Sequence, residues 1–351
     1  MGWRRAWLAP VLVLLLVLAM ALAGCGATGA ATTTTTAPTQ PVPAKVQGPI
    51  DSATLRQRVG LPGLRRHLDE LARIAAANGD TRVAGSAGDR ATIAYVTAQL
   101  RAAGYRPTTE RVTGFDDGGA STSNVIAELA GSRPDRVVMV GAHLDSVPAG
   151  PGINDNGSGI ATVLELARNM AGSQPVPTVR FAFWGAEEEG LVGSSQYVGG
   201  LDDAAARRIA LYLNLDMIAS PNFARLVYDP GGAPPGSEAV AAELLGYFKR
   251  AHVTAETIDF PSRSDHAPFR ERGIPVGGLF SGAEEAKTPA QAAADGGQAG
   301  APFDSCYHRA CDTLDHLGAT SLDQLADAAA DALATFGAGT LAIDRERAAA
   351  G

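Results

Sequence analysis

Five side chains of metal-binding type lie far apart in the chain, each at a point where a strand is expected to end. They are two histidines and three carboxylates: His143, Asp155, Glu188, Asp216 and His308. This set is too small for two separate four-ligand zinc sites, but it suffices for two zinc ions that share one carboxylate. Such a pair makes a water molecule nucleophilic near neutral pH and also holds a carbonyl oxygen. The residue types therefore predict metal-assisted hydrolysis.

Three of the candidate positions come directly after predicted buried strands. His143 ends one apolar run, Glu187 and Glu188 follow a second, and Asp216 follows a third. In open α/β sheets, ligands bind beyond the carboxyl ends of the strands. We therefore expect these side chains to meet at one edge of the sheet rather than to be unrelated solvated loop residues.

Asp145 and Asp155 each allow two interpretations. Asp145 stands two residues after His143, and is either a sixth ligand or, as we favour, the acceptor for the other ring N–H of a histidine. Asp155 lies in a Gly- and Asn-rich turn before a predicted helix, where aspartate is an ordinary turn or cap residue. Only the presence of the other four candidates indicates that Asp155 is a ligand.

Glu187, Glu188 and Glu189 are consecutive, so their roles must differ. One is expected to bind metal and another to act as a general base. A base must reach the reacting water by a hydrogen bond without being locked as a ligand. The residue types alone do not tell which two of the three take part.

The remainder of the chain predicts an α/β fold. Strand-like runs alternate with helical spacing, which indicates one domain with a largely parallel, mixed central sheet covered by helices on both faces. We assign residues 51–345 to this catalytic domain, residues 346–351 to a tail and residues 283–301 to a surface loop. Strands are predicted at 111–112, 124–130, 136–141, 178–184, 210–218 and 274–280, and helices at 61–77, 90–103, 157–170, 236–251 and 321–343.

The N-terminus predicts export with a lipid anchor. Residues 1–24 have the arginines and the apolar run of a signal peptide, and residues 22–25 read L-A-G-C, like a bacterial lipobox. Residues 25–50 are rich in Ala, Thr and Pro and read as a tether. We expect Cys25 to be lipidated and the protein to lie on the outer face of the cytoplasmic membrane, either retained or partly shed. A plain secretory signal with an incidental cysteine is the alternative.

Charge and cysteine content agree with an exported enzyme. The chain has 29 Lys and Arg against 37 Asp and Glu, a net charge of −8, which argues against nucleic acid or an anionic membrane face as partner. Cys306 and Cys311 flank His308, and in an oxidising compartment a disulfide is the expected state. It would fix the backbone that presents Tyr307 and His308. Two thiolate ligands are the alternative, although their spacing is not of zinc-finger type.

Several segments together resemble a known family. GAHLDSVPAGPGINDNGSG, RFAFWGAEEEGLVGSSQYV, YLNLDMIASP, RSDHAPF and CYHRACDTL resemble, in this order, segments of the secreted co-catalytic zinc aminopeptidases of the Streptomyces type. The resemblance runs from about residue 61 to about residue 336. It implies that Asp155 bridges two zinc ions, that His143 and Asp216 complete one site, and that Glu188 and His308 complete the other.

The resemblance also implies roles around the metal ions. Glu187 would be the general base, and Tyr307 would donate a hydrogen bond to the tetrahedral oxyanion. Arg263 would lie beside the ends of the substrate, and Phe280 would line an apolar side-chain pocket. The peptide bond after Asp155 would be cis.

Two positions depart from the family pattern. Glu189 replaces an apolar residue, and we expect it to be a bystander. Some relatives bind calcium, and Asp323 and Asp327 match two of their ligands, but the third position falls near Arg58, which argues against calcium here. We expect the remaining histidines to be structural: His67, His252, His266 and His316.

The sequence thus predicts a monomeric aminopeptidase that removes large apolar N-terminal residues from peptides. A carboxypeptidase or dipeptidase of the same fold is one alternative, and extra basic residues in the pocket would favour it. A glutaminyl cyclase with a single zinc ion is another. A binding protein that has lost catalysis is disfavoured, because no expected ligand is missing.

Overall fold

In the computed structural model, the described residues are 48–116, 118–260 and 262–350. The predicted signal peptide, Cys25 and most of the tether lie outside these residues. No helix among the described residues is both long and apolar enough to cross a membrane.

The strands of the described region form one mixed sheet in the order β1-β2-β4-β3-β5-β8-β6-β7. Strands β4, β3, β5 and β8 run parallel at its centre, whereas β1 and β2 add an antiparallel edge on one side. On the other side β6 pairs antiparallel with β8 and parallel with β7. The bounds are β1 Thr108–Thr113, β2 Ser121–Leu129, β3 Arg133–His143, β4 Pro177–Trp184, β5 Ile209–Leu215, β6 Leu226–Tyr228, β7 Glu256–Ile258 and β8 Val276–Phe280.

Helices cover both faces of this sheet. Val138 and Val140 of β3 join the larger apolar cluster, while Val137 and Met139 join a second cluster on the opposite face. Such burial on both faces explains why the central strands are nearly continuous apolar runs. The bounds are α1 Ser52–Arg58, α2 Leu61–Ala76, α3 Ala87–Ala102, α4 Gly159–Met170, α5 Val192–Gly199, α6 Asp203–Arg208, α7 Ser237–Arg250, α8 Ala267–Glu271, α9 Pro289–Asp295, α10 Ala319–Ala338 and α11 Leu341–Ala350.

The predicted α/β class and mixed, largely parallel sheet are confirmed, but two local predictions are wrong. The single helix predicted over residues 321–343 is two helices, α10 and α11, which are separated at Gly339 and Thr340. The second helix continues to Ala350, so most of the predicted tail is helical. The predicted loop over residues 283–301 contains the short helix α9, which begins with a capping box between Thr288 and Gln291.

Candidate metal centre

A cavity of about 240 Å³ lies at the carboxyl ends of the central strands. His143 is the last residue of β3, the Glu187–Glu188 pair follows the end of β4, and Asp216 directly follows β5. The structure brings all five candidate ligands to this cavity, and four other predicted residues line it with them: Glu187, Arg263, Phe280 and Tyr307.

Asp155 is presented by an irregular turn before α4. Asp155 and Asn156 have non-helical backbone angles, and the peptide bond between them is cis. Gly152 begins the turn with φ +63°, and a Cβ there would lie 2.2 Å from the carbonyl oxygen of Asp155. Only glycine fits this position, because it combines the positive φ with the close backbone approach.

The carboxylate of Asp155 lies between the two histidines. Its Oδ1 is 3.1 Å from Nε2 of His143, and its Oδ2 is 3.1 Å from Nε2 of His308. Oδ1 of Asp216 is 3.5 Å from Nε2 of His143, and Oε2 of Glu188 is 3.1 Å from Nε2 of His308. The ligand atoms thus form two groups that share one carboxylate.

These distances suit zinc. With metal–ligand bonds of about 2.0–2.1 Å, two ligand atoms of a tetrahedral site lie about 3.3 Å apart. Oε1 of Glu188 and Oδ1 of Asp216 are buried without a hydrogen-bond partner among the described residues. Buried polar atoms are rarely left unpaired, so these oxygens fit a site that accepts cations. The imidazole and carboxylate donors are those that zinc prefers.

Glu187 and Glu188 both lie close to His143 but differ in their other neighbours. Glu188 contacts His308, whereas the carboxylate of Glu187 lies within 4.8 Å of ligand atoms of His143 and Asp216. Distance alone therefore also permits Glu187 as a ligand. The contact between Glu188 and His308 favours Glu188 over Glu187 as the ligand at this histidine.

Burial and the crowding of acids shift the pKa values of side chains that line the cavity. Burial, together with Asp265 and Asp216, raises the pKa of Glu187 well above its ordinary range. Burial and the Asp155 carboxylate raise the pKa of Glu188 to about 7. Burial opposes a charged His308, but hydrogen bonds to Asp155 and Glu188 outweigh it and raise the pKa of His308 to about 10. The carboxylates thus favour positive charge in the cavity, which suits a site that binds cations.

Asp145 has a different contact from the expected one. Its Oδ1 is 3.8 Å from Nδ1 of His143, which is too long for a hydrogen bond. Instead, its two oxygens accept the backbone N–H groups of Glu187 at 3.1 Å and Glu188 at 3.2 Å. Asp145 therefore orients the two glutamates rather than the histidine ring.

The predicted disulfide between Cys306 and Cys311 is present. It closes a short loop in which the ring of Tyr307 stacks on that of His308, with centroids 3.8 Å apart. Asp304 stands before this loop and accepts the backbone N–H of Cys306 at 2.7 Å.

Asp312 and Asn154 were not predicted from the sequence, and both connect ligand-bearing segments. Asp312 accepts the backbone N–H of Asn154 at 2.7 Å. The side-chain amide of Asn154 donates to Asp304 at 2.7 Å and to Ser220 at 3.0 Å. It also accepts the N–H of Ala219 at 2.9 Å, just beyond Asp216. One buried asparagine therefore joins three loops, and the only sequence signal for it was its place beside Asp155.

One side of the cavity is apolar and carries one arginine that is paired with acids. Phe280 is buried against Phe260, with ring centroids 4.9 Å apart. Arg263 lies over the ring of Phe260 and donates to Glu284 at 3.0 Å and Glu285 at 2.8 Å. Its charge is therefore already compensated by the protein.

Three of the other histidines are paired with protein groups other than the five candidate ligands. His67 is shared between Tyr95 and Glu165, and Nε2 of His316 lies 3.0 Å from Asp304. His266 bonds the carbonyl oxygen of Phe260, and His252 is exposed. At Asp327, which matches a calcium ligand of some relatives, Nη1 of Arg56 lies 3.9 Å away.

Comparisons with known proteins identify a peptidase family and several named relatives. The model of Peptidase family M28 matches residues 124–333. The chain is 44% identical over 304 residues to leupeptin-inactivating enzyme 1 of Streptomyces exfoliatus, covering 85% of this chain and 67% of that protein. It is 49% identical over 226 residues to the probable lipoprotein aminopeptidase LpqL of Mycobacterium tuberculosis, covering 61% of this chain and 45% of that protein. The chain thus spans less than half of the second relative.

Solved structures share the fold. The zinc aminopeptidase BSAP from Bacillus subtilis superposes with a TM-score of 0.65 at 18% identity, covering 77% of this chain and 94% of that chain. The glutaminyl cyclase of an Acidobacteriales bacterium superposes with a TM-score of 0.60 at 20% identity, covering 88% and 99%. At these identities the similarity speaks for the fold and leaves the chemistry to the residues of the cavity.

Proposed function

The chain belongs to peptidase family M28, and we propose that it is an aminopeptidase that holds two zinc ions and acts on peptides outside the cytoplasm. The observation that carries this proposal is the position of Asp155, 3.1 Å from each of two histidines through separate oxygens. A carboxylate in this position suits two cations better than one, which favours a peptidase over a single-zinc cyclase.

Five residues would hold the metal ions. Asp155 would contact both ions, with His143 and Asp216 at one and Glu188 and His308 at the other. When bound, zinc ions lower the pKa of a water molecule and polarise the carbonyl group of the substrate.

Glu187 would transfer the proton, and Tyr307 would stabilise the negative charge of the oxyanion. Glu187 takes the proton that the attacking water loses, and passes it to the leaving amine. Burial and neighbouring acids raise the pKa of Glu187, which makes its carboxylate a stronger base. Burial also raises the pKa of Tyr307, so its phenol keeps the proton it donates in a hydrogen bond to the oxyanion.

The cavity favours a free amine over a free carboxylate. The carboxylates of Glu187 and Asp216 would accept hydrogen bonds from the N-terminal ammonium group. Arg263 is the single Lys or Arg among the described residues that line the cavity, and Glu284 and Glu285 already pair with it. A carboxypeptidase would need an available cation, so this arrangement supports exopeptidase action at the N-terminus.

Apolar walls and export signals complete the proposal. Met217, Phe260 and Phe280 line the cavity, which supports a large apolar N-terminal residue in the substrate. Lipidation at Cys25 would hold the enzyme at the membrane surface. The L-A-G-C motif, the disulfide and the lipoprotein relative support an extracytoplasmic location.

Metal analysis combined with a substrate panel tests the proposal. The purified protein should contain two zinc ions per chain and release leucine from a chromogenic leucine anilide. A strong chelator should stop the reaction and zinc should restore it, while the N-acetylated anilide should stay intact. One zinc ion with cyclisation of N-terminal glutamine would establish the cyclase instead, and cleavage from the C-terminus of N-blocked peptides would establish a carboxypeptidase.

A further inference from the structure

Arg82 is a fully buried arginine, with 0% of its surface exposed, close behind the metal centre. Its guanidinium donates hydrogen bonds to three backbone carbonyl oxygens. Nε bonds the oxygen of Pro151 at 2.9 Å, Nη2 bonds that of Gly152 at 2.6 Å, and Nη1 bonds that of Leu144. Its own backbone N–H donates to Ser146 at 2.9 Å.

These carbonyl groups lie at both ends of one segment that connects two candidate ligands, His143 and Asp155. Leu144 directly follows His143, and Gly152 begins the turn that presents Asp155. The carbonyl oxygen of Gly152 also accepts the N–H of Gly157 at 3.0 Å, beyond Asp155. One rigid guanidinium therefore sets the path of the backbone between the two ligands.

The charge of Arg82 also faces the acids that support the centre. Burial lowers the pKa of Arg82, whereas the charges of Asp145, Asp312 and Asp155 raise it. Guanidinium groups stay protonated even when buried. Arg82 thus supplies a fixed positive charge behind acids that orient Glu187 or the backbone of Asp155.

We propose that Arg82 is a positioning residue of the metal centre, which holds residues 144–152, the connection between His143 and Asp155, in place before any metal ion binds. This inference rests on the proposed zinc centre. It differs from a purely structural role, in which Arg82 would stabilise the metal-free and zinc-loaded proteins equally and leave zinc affinity unchanged.

Zinc affinity separates the two roles. Arg82→Met should weaken zinc binding about 10- to 100-fold, as loss of groups that orient metal ligands does. Arg82→Lys cannot reach all three carbonyl oxygens, but it keeps the positive charge. Its loss of zinc affinity should therefore be smaller than that of Arg82→Met. Affinity would be measured by competition with a chromophoric chelator, alongside the Tm of the metal-free and zinc-loaded forms.

Arg225 provides the matched control. It is 6% exposed and donates to Gln324, Asp295 and the carbonyl oxygen of Thr254, so it is another buried arginine but has no contact with a ligand-bearing segment. Arg225→Met should lower both Tm values without changing zinc affinity. Equal Tm losses in both forms with unchanged zinc affinity in Arg82→Met and Arg82→Lys would overturn the inference while leaving the proposed function intact.

Hydrogen exchange of the unsubstituted protein gives an independent test if the variants do not fold. In the metal-free protein, the amides of residues 144–157 should be protected nearly as well as in the zinc-loaded protein. Free exchange of this segment until zinc is added would contradict the inference. If the unsubstituted protein did not bind zinc, the proposed function itself would be refuted, and the role of Arg82 with it.

Discussion

The side chain of Asp312 accepts the backbone N–H of Asp155 at 3.0 Å. Asp312 directly follows Cys311, and its own carbonyl oxygen accepts the N–H of Ile153 at 3.3 Å. The disulfide loop that carries His308 is therefore bonded to the turn that carries Asp155. His308 and Asp155 face each other because the segments that carry them are joined through Asp312. The disulfide closes the loop next to this junction.

We predict that removing the disulfide weakens the zinc site formed by Glu188 and His308. In Cys306→Ser/Cys311→Ser, the loop gains backbone freedom, so His308 must be ordered when zinc binds. Zinc affinity should fall by about tenfold or more at one of the two sites. Zinc per chain after dialysis against a weak chelator measures the effect, and retention of both ions at unsubstituted affinity would contradict it.

We predict that Glu187→Gln keeps both zinc ions but lowers kcat by about 10²- to 10⁴-fold. The amide preserves the shape of the side chain but cannot take a proton from water, and general base catalysis contributes a factor of this size. Glu189→Gln is the control, because Glu189 is exposed beside the same pair and should leave kcat unchanged. Loss of one zinc ion from Glu187→Gln would show instead that Glu187 is a ligand.

The main features of the fold followed from sequence for a physical reason. The central strands are buried on both faces, so they are apolar runs, and a polar residue after such a run marks the sheet edge where sites form. His143 and Asp216 stand out in this way. Helix α9 did not, because none of its residues is buried and its sequence therefore lacks apolar periodicity.

The residues that hold the ligand-bearing segments by hydrogen bonds, such as Arg82 and Asn154, could not be identified from the sequence pattern. Arg82 lies in a polar segment that reads as a loop, and its burial depends on three carbonyl groups that only the folded chain brings together. Asn154 likewise looks like an ordinary turn residue until Asp304 and Ala219 are placed beside it. The break between α10 and α11 was missed because the Ala-rich pattern continues across Gly339.

We predict that calcium does not stabilise the protein. Arg56 lies 3.9 Å from Asp327 and 4.0 Å from Asp331, and the hydroxyl of Tyr247 donates to Asp327 at 3.3 Å. A guanidinium beside these carboxylates disfavours a cation between them, so millimolar calcium should leave the Tm of the zinc-loaded protein unchanged. Arg56→Ala should cost at most about 1 kcal/mol, because the pair is partly exposed. A calcium-dependent rise in Tm of the unsubstituted protein would refute this prediction.

We predict that zinc binding releases protons and strengthens as pH rises from about 6 to 10. In the metal-free protein, bonds to Asp155 and Glu188 outweigh burial and raise the pKa of His308 to about 10, so His308 is protonated at pH 7. The pKa of His143 is also raised, since Glu187 and Asp216 outweigh its burial. Zinc binds only deprotonated imidazole, so both protons must leave.

Raising the pH destabilises the metal-free protein but strengthens its stabilisation by zinc. Because the folded-state pKa of His308 is raised, its contribution to the metal-free fold is fully present below about pH 6.5 and is lost as pH rises through about 10. The increase in Tm on adding zinc should therefore grow with pH. Titration calorimetry in buffers of different ionisation enthalpy should show about two or more protons released per chain at pH 7. His252→Asn, at an exposed histidine with positive φ, should leave this number unchanged. A binding enthalpy that is independent of the buffer would mean that the two imidazoles are already neutral, and that the carboxylates around them do not set their charge.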